Sequence, residues 1–332
     1  MTTAQIESAE NASEGKAQTL RLWWQLLRNV GTERWGDPMG YLFIAPGLIL
    51  FATFQVWVLI RGLTMAFTDF RFLAQLTDAT NFVGLRNFVE AFAEDTYFWP
   101  SLGRALRFTA IYMPCMLGSA LLFASVIARV KNTLIAAFYR TIMYLPVILP
   151  VAVAILMWKV LLDNQTGYLN HILGNVLGLK SWTRNWLQNA STALPMVAVM
   201  RIWKDAGYSA MLFLIGMYNI NDELYEAASI DGAGGFRQWW HITLPLLKPV
   251  FTLVLVLNAN LVSAAQEFMI TYGTSSFGPD GSCLTLGFYI WIVAFKWGEL
   301  RMGYAAAMSL FLGLVSMLLS GVVFKVLRTE RG

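Results

Sequence analysis

Residues Tyr41–Phe67 read YLFIAPGLILFATFQVWVLIRGLTMAF, an almost wholly apolar stretch with Pro46 near its start. At about 1.5 Å per residue it is long enough to cross a hydrocarbon core of about 30 Å as a helix. The chain repeats this pattern. We expect further spans at about Phe108 to Val130, Phe138 to about Leu162, Ala193 to Asn219, about Leu246 to Tyr272, and Met302 to about Leu327. Pro146 and Pro150 remove backbone donors from the third run and should bend it. The apolar piece Leu284 to Phe295 is too short to span and reads as interfacial or re-entrant.

The composition agrees with a multispan membrane protein. Of 332 residues, 57% are hydrophobic and 13% charged, about half the charged share of a soluble domain. Mean hydropathy is +0.54. Soluble, collagenous and disordered classes are excluded because too little surface could be made polar. The two cysteines, Cys115 and Cys283, give neither a disulfide framework nor a metal knuckle. A net charge of +4 fits basic residues at membrane faces and does not argue for nucleic-acid binding.

The expected fold class is all-α: six transmembrane helices in residues 41–327, preceded by a cytoplasmic tail (1–40) and followed by a short cytoplasmic end (328–332). Residues 1–18 have almost nothing to bury. Leu20, Trp23, Trp24, Leu27 and Val30 then recur at helical spacing, as in an amphipathic surface helix, or one packed on another subunit. Lys and Arg near helix ends favour the cytoplasmic face. Arg129, Lys131 and Arg140 between helices two and three, with Lys16, Arg21, Arg28, Lys325 and Arg328 in the tails, place both termini there, against Arg71, Arg86, Arg104, Lys180 and Arg184 opposite.

The connection Ile220–Pro245 is too polar to span. Asn221 or Asp222 can cap a helix running to Ile230, and Glu223 in its first turn suits the macrodipole. Asp231-Gly232, with Gly234 and Gly235, breaks that helix. Phe236 to Ile242 should start a second, ending before Leu244-Pro245. Two short helices around a glycine elbow make a rigid protrusion fit to pass force to a soluble partner.

Glu226-Ala227-Ala228, Gly232, Ile242, Leu244 and Pro245 reproduce a spaced pattern, E-A-A, three residues, G, nine residues, I-x-L-P, which resembles the EAA loop of ABC importer permeases. The surrounding Leu224-Tyr225 and Ile230-Asp231-Gly232-Ala233 look like the carbohydrate branch, the maltose-type and glycerol-phosphate-type permeases. Ala45-Pro46-Gly47, Phe82-Val83-Gly84-Leu85, Gly167 with Asn170, and Met302-Gly303-Tyr304 add to the likeness. Tyr272-Gly273-Thr274 followed by Ser275, and Arg104-Ala105, depart from the family's frequent residues.

The resemblance implies a permease subunit of a binding-protein-dependent sugar importer in the plasma (inner) membrane. Its partners would be a homologous second permease, two ATPase subunits and an extracytoplasmic sugar-binding protein. By position, Glu226, Ala227, Ala228, Asp231, Gly232, Ile242, Leu244 and Pro245 would couple to the ATPase. No P-loop occurs in the sequence, so no cofactor is expected in this chain; ATP and Mg would be bound by the partner. His171 and His241 are the only histidines, and no catalytic motif appears.

Charges within a span cost about 2.5–3.5 kcal/mol each, so they need a reason. Arg201, Lys204, Asp205 and Tyr208 share a helical stripe, with Trp203 close by for stacking. Asn260, Ser263 and Glu267 form another, while Asn258 and Gln266 face elsewhere. These residues either line a wet path suited to a neutral polyol or only pair among themselves, Arg201 with Asp205 above all. A self-sufficient secondary transporter using Asp205 and Glu267 as ion sites is the alternative; it would not need an ATPase-docking loop. Small residues on helix six, Gly303, Ala305, Ala306, Ala307 and Ser309, suit close packing at a subunit interface.

Overall fold

The computed structural model describes residues 38–72, 81–258, 265–298 and 300–327. Apart from one isolated bridge between Thr68 and Phe82, the regular structure among them is helical. The expected amphipathic helix near residue 20, and Asn260 and Ser263, lie outside the described residues. The chain divides into a short unit ending at Gly62 and a large one from Leu63.

The short unit carries most of the first apolar run. Helix α1 (Pro38–Phe51) passes through a π turn (Ala52–Val56) into α2 (Trp57–Met65). Pro46 sits inside α1 without ending it. Leu42, Phe43, Ile49, Phe54 and Leu59 are exposed, as suits side chains whose solvent is lipid.

In the large unit, α3 (Arg86–Val89) and a π turn (Glu90–Glu94) lead into α4 (Phe98–Ala128). The second apolar run therefore begins ten residues before the expected Phe108. Charges at Arg104 and Arg107 mask the start in the sequence, yet Phe98, Ser101, Leu102 and Ala105 already point inward at helical spacing. The packed partner of α4 is α8 (Ala193–Tyr218). Ala105, Ala120 and Ala124 of α4 and Ala198, Ala206 and Ala210 of α8 are buried, small enough to bring the two helices close.

The third apolar run is two helices. α5 (Thr133–Ile148) and α6 (Val151–Leu161) meet at 101°. Leu149 is extended, φ −67° and ψ 134°, as expected of a residue before proline, and Pro150 then opens α6. Helix α8 supports the break. Lys204 Nζ donates to Val147 O (3.4 Å), a carbonyl at the broken end of α5. Gly207 lies directly under the backbone of α5, so that a Cβ there would overlap Met143 O.

Between α6 and α8, Asp163 accepts hydrogen bonds from Thr166 and Gln165, which hold its carboxyl below the usual carboxylate range. The short helix α7 (Tyr168–His171) follows. Beyond α8 come α9 (Asp222–Ile230), α10 (Gly235–Gln238), a π turn (Trp239–Thr243), α11 (Leu244–Leu246) and α12 (Lys248–Asn258). α13 (Ala265–Tyr272) is the far end of the fifth run, and α14 (Leu286–Phe295) is the short apolar piece. α14 is packed within the chain: Leu286 through Ile290 and Ile292 through Ala294 are buried, against α15 (Met302–Leu327) and α4. Gly303, Ala305 and Ala307 of α15 are buried too, so those small residues serve packing inside this chain. Gly303 N donates to Phe70 O (2.9 Å).

Among the described residues, three helices are long and apolar enough to span, or five if each bent pair counts once. α8 is equally long but carries Arg201, Lys204 and Asp205.

Overpacking by the three carbons of an isopropyl group costs about 1–3 kcal/mol or more where backbone must move. We expect Gly207→Val to lower the melting temperature of the detergent-solubilised chain by several degrees. Gly103→Ala, in open space inside α4, should leave it unchanged or raise it slightly. Differential scanning fluorimetry reads both.

Candidate functional site

Two groups of expected functional residues are brought together, at different places in the fold. The first is the helical hairpin after α8. Asn221 Oδ1 accepts from Glu223 N (3.1 Å) and caps α9, with Asp222 and Glu223 in the first turn. The other end closes by two backbone bonds, Ala233 N to Ala228 O (2.8 Å) and Gly232 N to Ser229 O (3.1 Å). Together with φ +77° at Gly232 they form a Schellman motif. Ala228 supplies the carbonyl four residues before the left-handed position, so the alanine-to-glycine spacing of the motif is the spacing of this helix stop. A residue with a Cβ would be strained at Gly232.

Gln238 locks the two short helices together. Its Nε2 donates to Ser229 Oγ (2.8 Å) and Ala233 O (3.0 Å), with Tyr225 O at 3.3 Å. Tyr225 hydroxyl pairs with Thr243 Oγ1 (2.8 Å). Trp239 Nε1 donates to Ser125 Oγ (2.9 Å), which fastens the hairpin to the end of α4.

The second short helix does not end before Leu244-Pro245. It continues from Gly235 to Leu246 and then bends 62° into α12. The π turn Trp239–Thr243 loosens the backbone just ahead of Pro245, which lets a residue without an N–H follow. Ile242 and Leu244 are half-buried under the hairpin, and Pro245 is exposed. Glu226, Ala227, Asp231, Ile230 and Phe236 stand in solvent, Ile230 with 88% of its surface free.

The second group is buried where α4, α8, α12 and α13 meet. Arg201 Nε bonds Asp205 Oδ2 (2.9 Å) and Arg201 Nη1 bonds Glu267 Oε1 (2.7 Å). Tyr112 hydroxyl is 2.8 Å from Asp205 Oδ2 and 2.9 Å from Asn258 Oδ1, and its single proton goes to the stronger acceptor, the carboxylate. The Arg201 guanidinium also lies 5.6 Å from the Tyr112 ring centroid. Glu267 Oε2 is buried without a hydrogen-bond partner among the described residues.

This geometry corrects one expectation and shows what the other expected residues touch. Within the stripe of Arg201, Lys204, Asp205 and Tyr208, Lys204 reaches the α5 break and Tyr208 is exposed. The Trp203 ring meets Trp158 of α6 edge-on at 5.9 Å. Asn258 does not face elsewhere but joins Tyr112, 146 residues away in sequence. Tyr112 escaped the sequence reading because nothing separates one buried tyrosine from the apolar residues around it. Gln238 and Ser125 escaped likewise, although Gln238 is the one amide in its helix.

The hairpin and the charged cluster are both carried by a chain rich in long apolar helices. A family model described as binding-protein-dependent transport system inner membrane component matches residues 120–329. The chain belongs to this family of non-catalytic, multispan ABC transporter permeases. It is 31% identical over 291 residues, 88% of this chain and 96% of the other, to the probable ABC transporter permease protein YurN of Bacillus subtilis (strain 168). It is 27% identical over 302 residues, 90% and 97% of the two chains, to the lactose transport system permease protein LacF of Rhizobium radiobacter. A bacterial ABC transporter involved in import of the acidic polysaccharide alginate has the same fold, with a TM-score of 0.72 at 22% identity, covering 94% of this chain and 100% of that one.

Arg201→Met leaves the buried Glu267 and the half-buried Asp205 without their cation, and losing one partner of such a network costs about 3–5 kcal/mol. We expect the solubilised variant to melt far below the parent. The triple variant Arg201→Met, Asp205→Asn, Glu267→Gln should recover most of the loss in the same melting assay.

Proposed function

We propose that this chain is half of the membrane pathway of an ATP-driven sugar importer, with six crossings and both termini in the cytoplasm. Helix α8, long enough but charged, and the α12–α13 pair complete the crossings that hydropathy alone leaves short. A homologous second permease would supply the other half. Two ATPase subunits would bind ATP and Mg in the cytoplasm, and an extracytoplasmic binding protein would deliver the sugar.

The observation that carries this reading is the hairpin α9–α10. Its Schellman stop, Gln238 lock and Trp239 anchor make it stiff, and they leave Glu226, Ala227 and Ile230 uncovered. Stiffness is needed because a flexible loop would absorb the displacement that an ATPase imparts on nucleotide binding. Small Ala227 permits close approach, and Glu226 offers a carboxylate to a basic partner group. Asp231, Gly232, Ile242, Leu244 and Pro245 hold the shape and root it in α12.

For the pathway, Asp205, Asn258 and Glu267 form its inner polar level in this reading, with Tyr208, Trp203 and Lys204 on the flanking turns of α8. Asn260 and Ser263 belong to the same proposal by sequence position. Carbohydrate cargo is supported by the carbohydrate-like surroundings of the EAA pattern and by relatives such as the lactose permease.

Glu226→Lys and Gly232→Pro should each abolish ATP-dependent uptake while the chain still inserts in the membrane; uptake at parental rate by both variants would refute the coupling role. Asp205→Ala should change the KM or specificity of uptake in an assembled complex. Transport by the chain alone in liposomes, without an ATPase, would replace the importer with a secondary transporter.

A further inference from the structure

Away from both groups, an open cavity of about 490 Å³ lies where the segment before α4 meets the end of α14 and the start of α15. Its walls join residues far apart in sequence. Arg301 binds Glu90 through two bonds, Nη1 to Oε1 (2.6 Å) and Nη2 to Oε2 (2.7 Å), and lies over the Tyr304 ring at 4.6 Å. Tyr289 and Tyr304 both donate their hydroxyl protons to Asp95 Oδ2, each at 2.6 Å. Trp297 lines the mouth, gripped edge-on by Tyr97, Tyr289 and Phe277 with ring centroids 5.7–6.0 Å apart.

We propose that this cavity is a binding site for a neutral pyranose. Two phenol protons are committed to Asp95, so the phenolic oxygens remain as fixed acceptors for sugar hydroxyls. Glu94, on the exposed side of the cavity, adds a further acceptor, and the Trp297 indole offers an apolar platform for the C–H groups of a sugar ring. The Arg301–Glu90 pair is internally neutral, which leaves Glu94 and Asp95 to repel an anionic sugar. The volume admits one or two hexose rings. The site deepens the importer reading and rests on it: in the topology proposed above, the cavity opens at the extracytoplasmic ends of α4 and α15, where a sugar would first meet the permease. It is separate from the central Arg201 cluster.

The test uses the full chain in lipid nanodiscs and saturation-transfer difference NMR. The probes are methyl α-glucopyranoside, methyl α-glucuronopyranoside and glucosamine. The neutral glycoside should receive saturation on its ring protons. Trp297→Leu should reduce that signal about three- to tenfold, the loss of one aromatic contact, and Glu94→Lys should also reduce it. Leu134→Ala, an exposed side chain on α5 outside both groups, should leave it unchanged. Glu94 is exposed, so its variant keeps the test valid if Trp297→Leu fails to fold. Equal signals from parent and Glu94→Lys, a glucuronoside signal matching the neutral one, or a signal from glucosamine alone would overturn the assignment. ATP-driven uptake unchanged in KM by Trp297→Leu would also count against the site while leaving the importer intact. A signal that persists in a chain unable to support ATP-driven uptake would leave the site standing and remove the importer.

Discussion

The packing of α4 on α8 is the interaction on which the rest of the structure depends. Both helices are long, and both turn alanines toward the seam, so their backbones approach closely and dispersion contacts accumulate along it. At mid-seam the bond from Tyr112 to Asp205 fixes the axial register. In a low-dielectric surrounding that bond and the Arg201 contacts are strong, and sliding one helix by a turn would leave several polar groups unpaired. Everything else is placed from this pair. Lys204 and Gly207 of α8 hold the broken third run, Ser125 of α4 holds the hairpin through Trp239, and the start of α4 carries Asp95 toward α14 and α15.

Broken helices recur where this fold needs direction changes inside an apolar medium. The 101° corner at Leu149-Pro150 and the 62° bend near Leu247 both leave backbone groups without their regular partners. Such groups are tolerated only where protein covers them. The corner has Lys204 at its carbonyl end, and the bend follows a π turn that adjusts the backbone ahead of Pro245. Proline lies beside each change in direction, with Lys204 of the neighbouring α8 at the first and a π turn ahead of the second.

The hairpin shows how a short pattern of small residues encodes a fixed turn between two helices. An alanine four residues before a glycine is unremarkable as composition. Placed at the end of a capped helix, the pair becomes a Schellman stop, and the stop aims α10 back across α9. The surface left uncovered, Glu226, Ala227 and Ile230, is therefore presented by a body with little freedom to bend.

The all-helical membrane class was legible in the sequence, because apolar runs of spanning length have few other uses. So were the hairpin, its capping by Asn221 and its glycine stop, which depend on residues within a dozen positions of one another. The boundaries of α4 and the continuation through Pro245 were not, since charges and prolines break a hydropathy pattern without having to break a helix. The two polar clusters were legible only by halves. Helical spacing put Arg201 and Asp205 together, but Tyr112, Asn258 and Glu267 lie on other helices, and no local period relates them. The joining of Asp95 with Tyr289 and Tyr304 is of the same kind. Local rules determine which backbone a segment takes, whereas long-range pairing follows from which helices touch and at what rotation, and that is set by the packing of the whole chain.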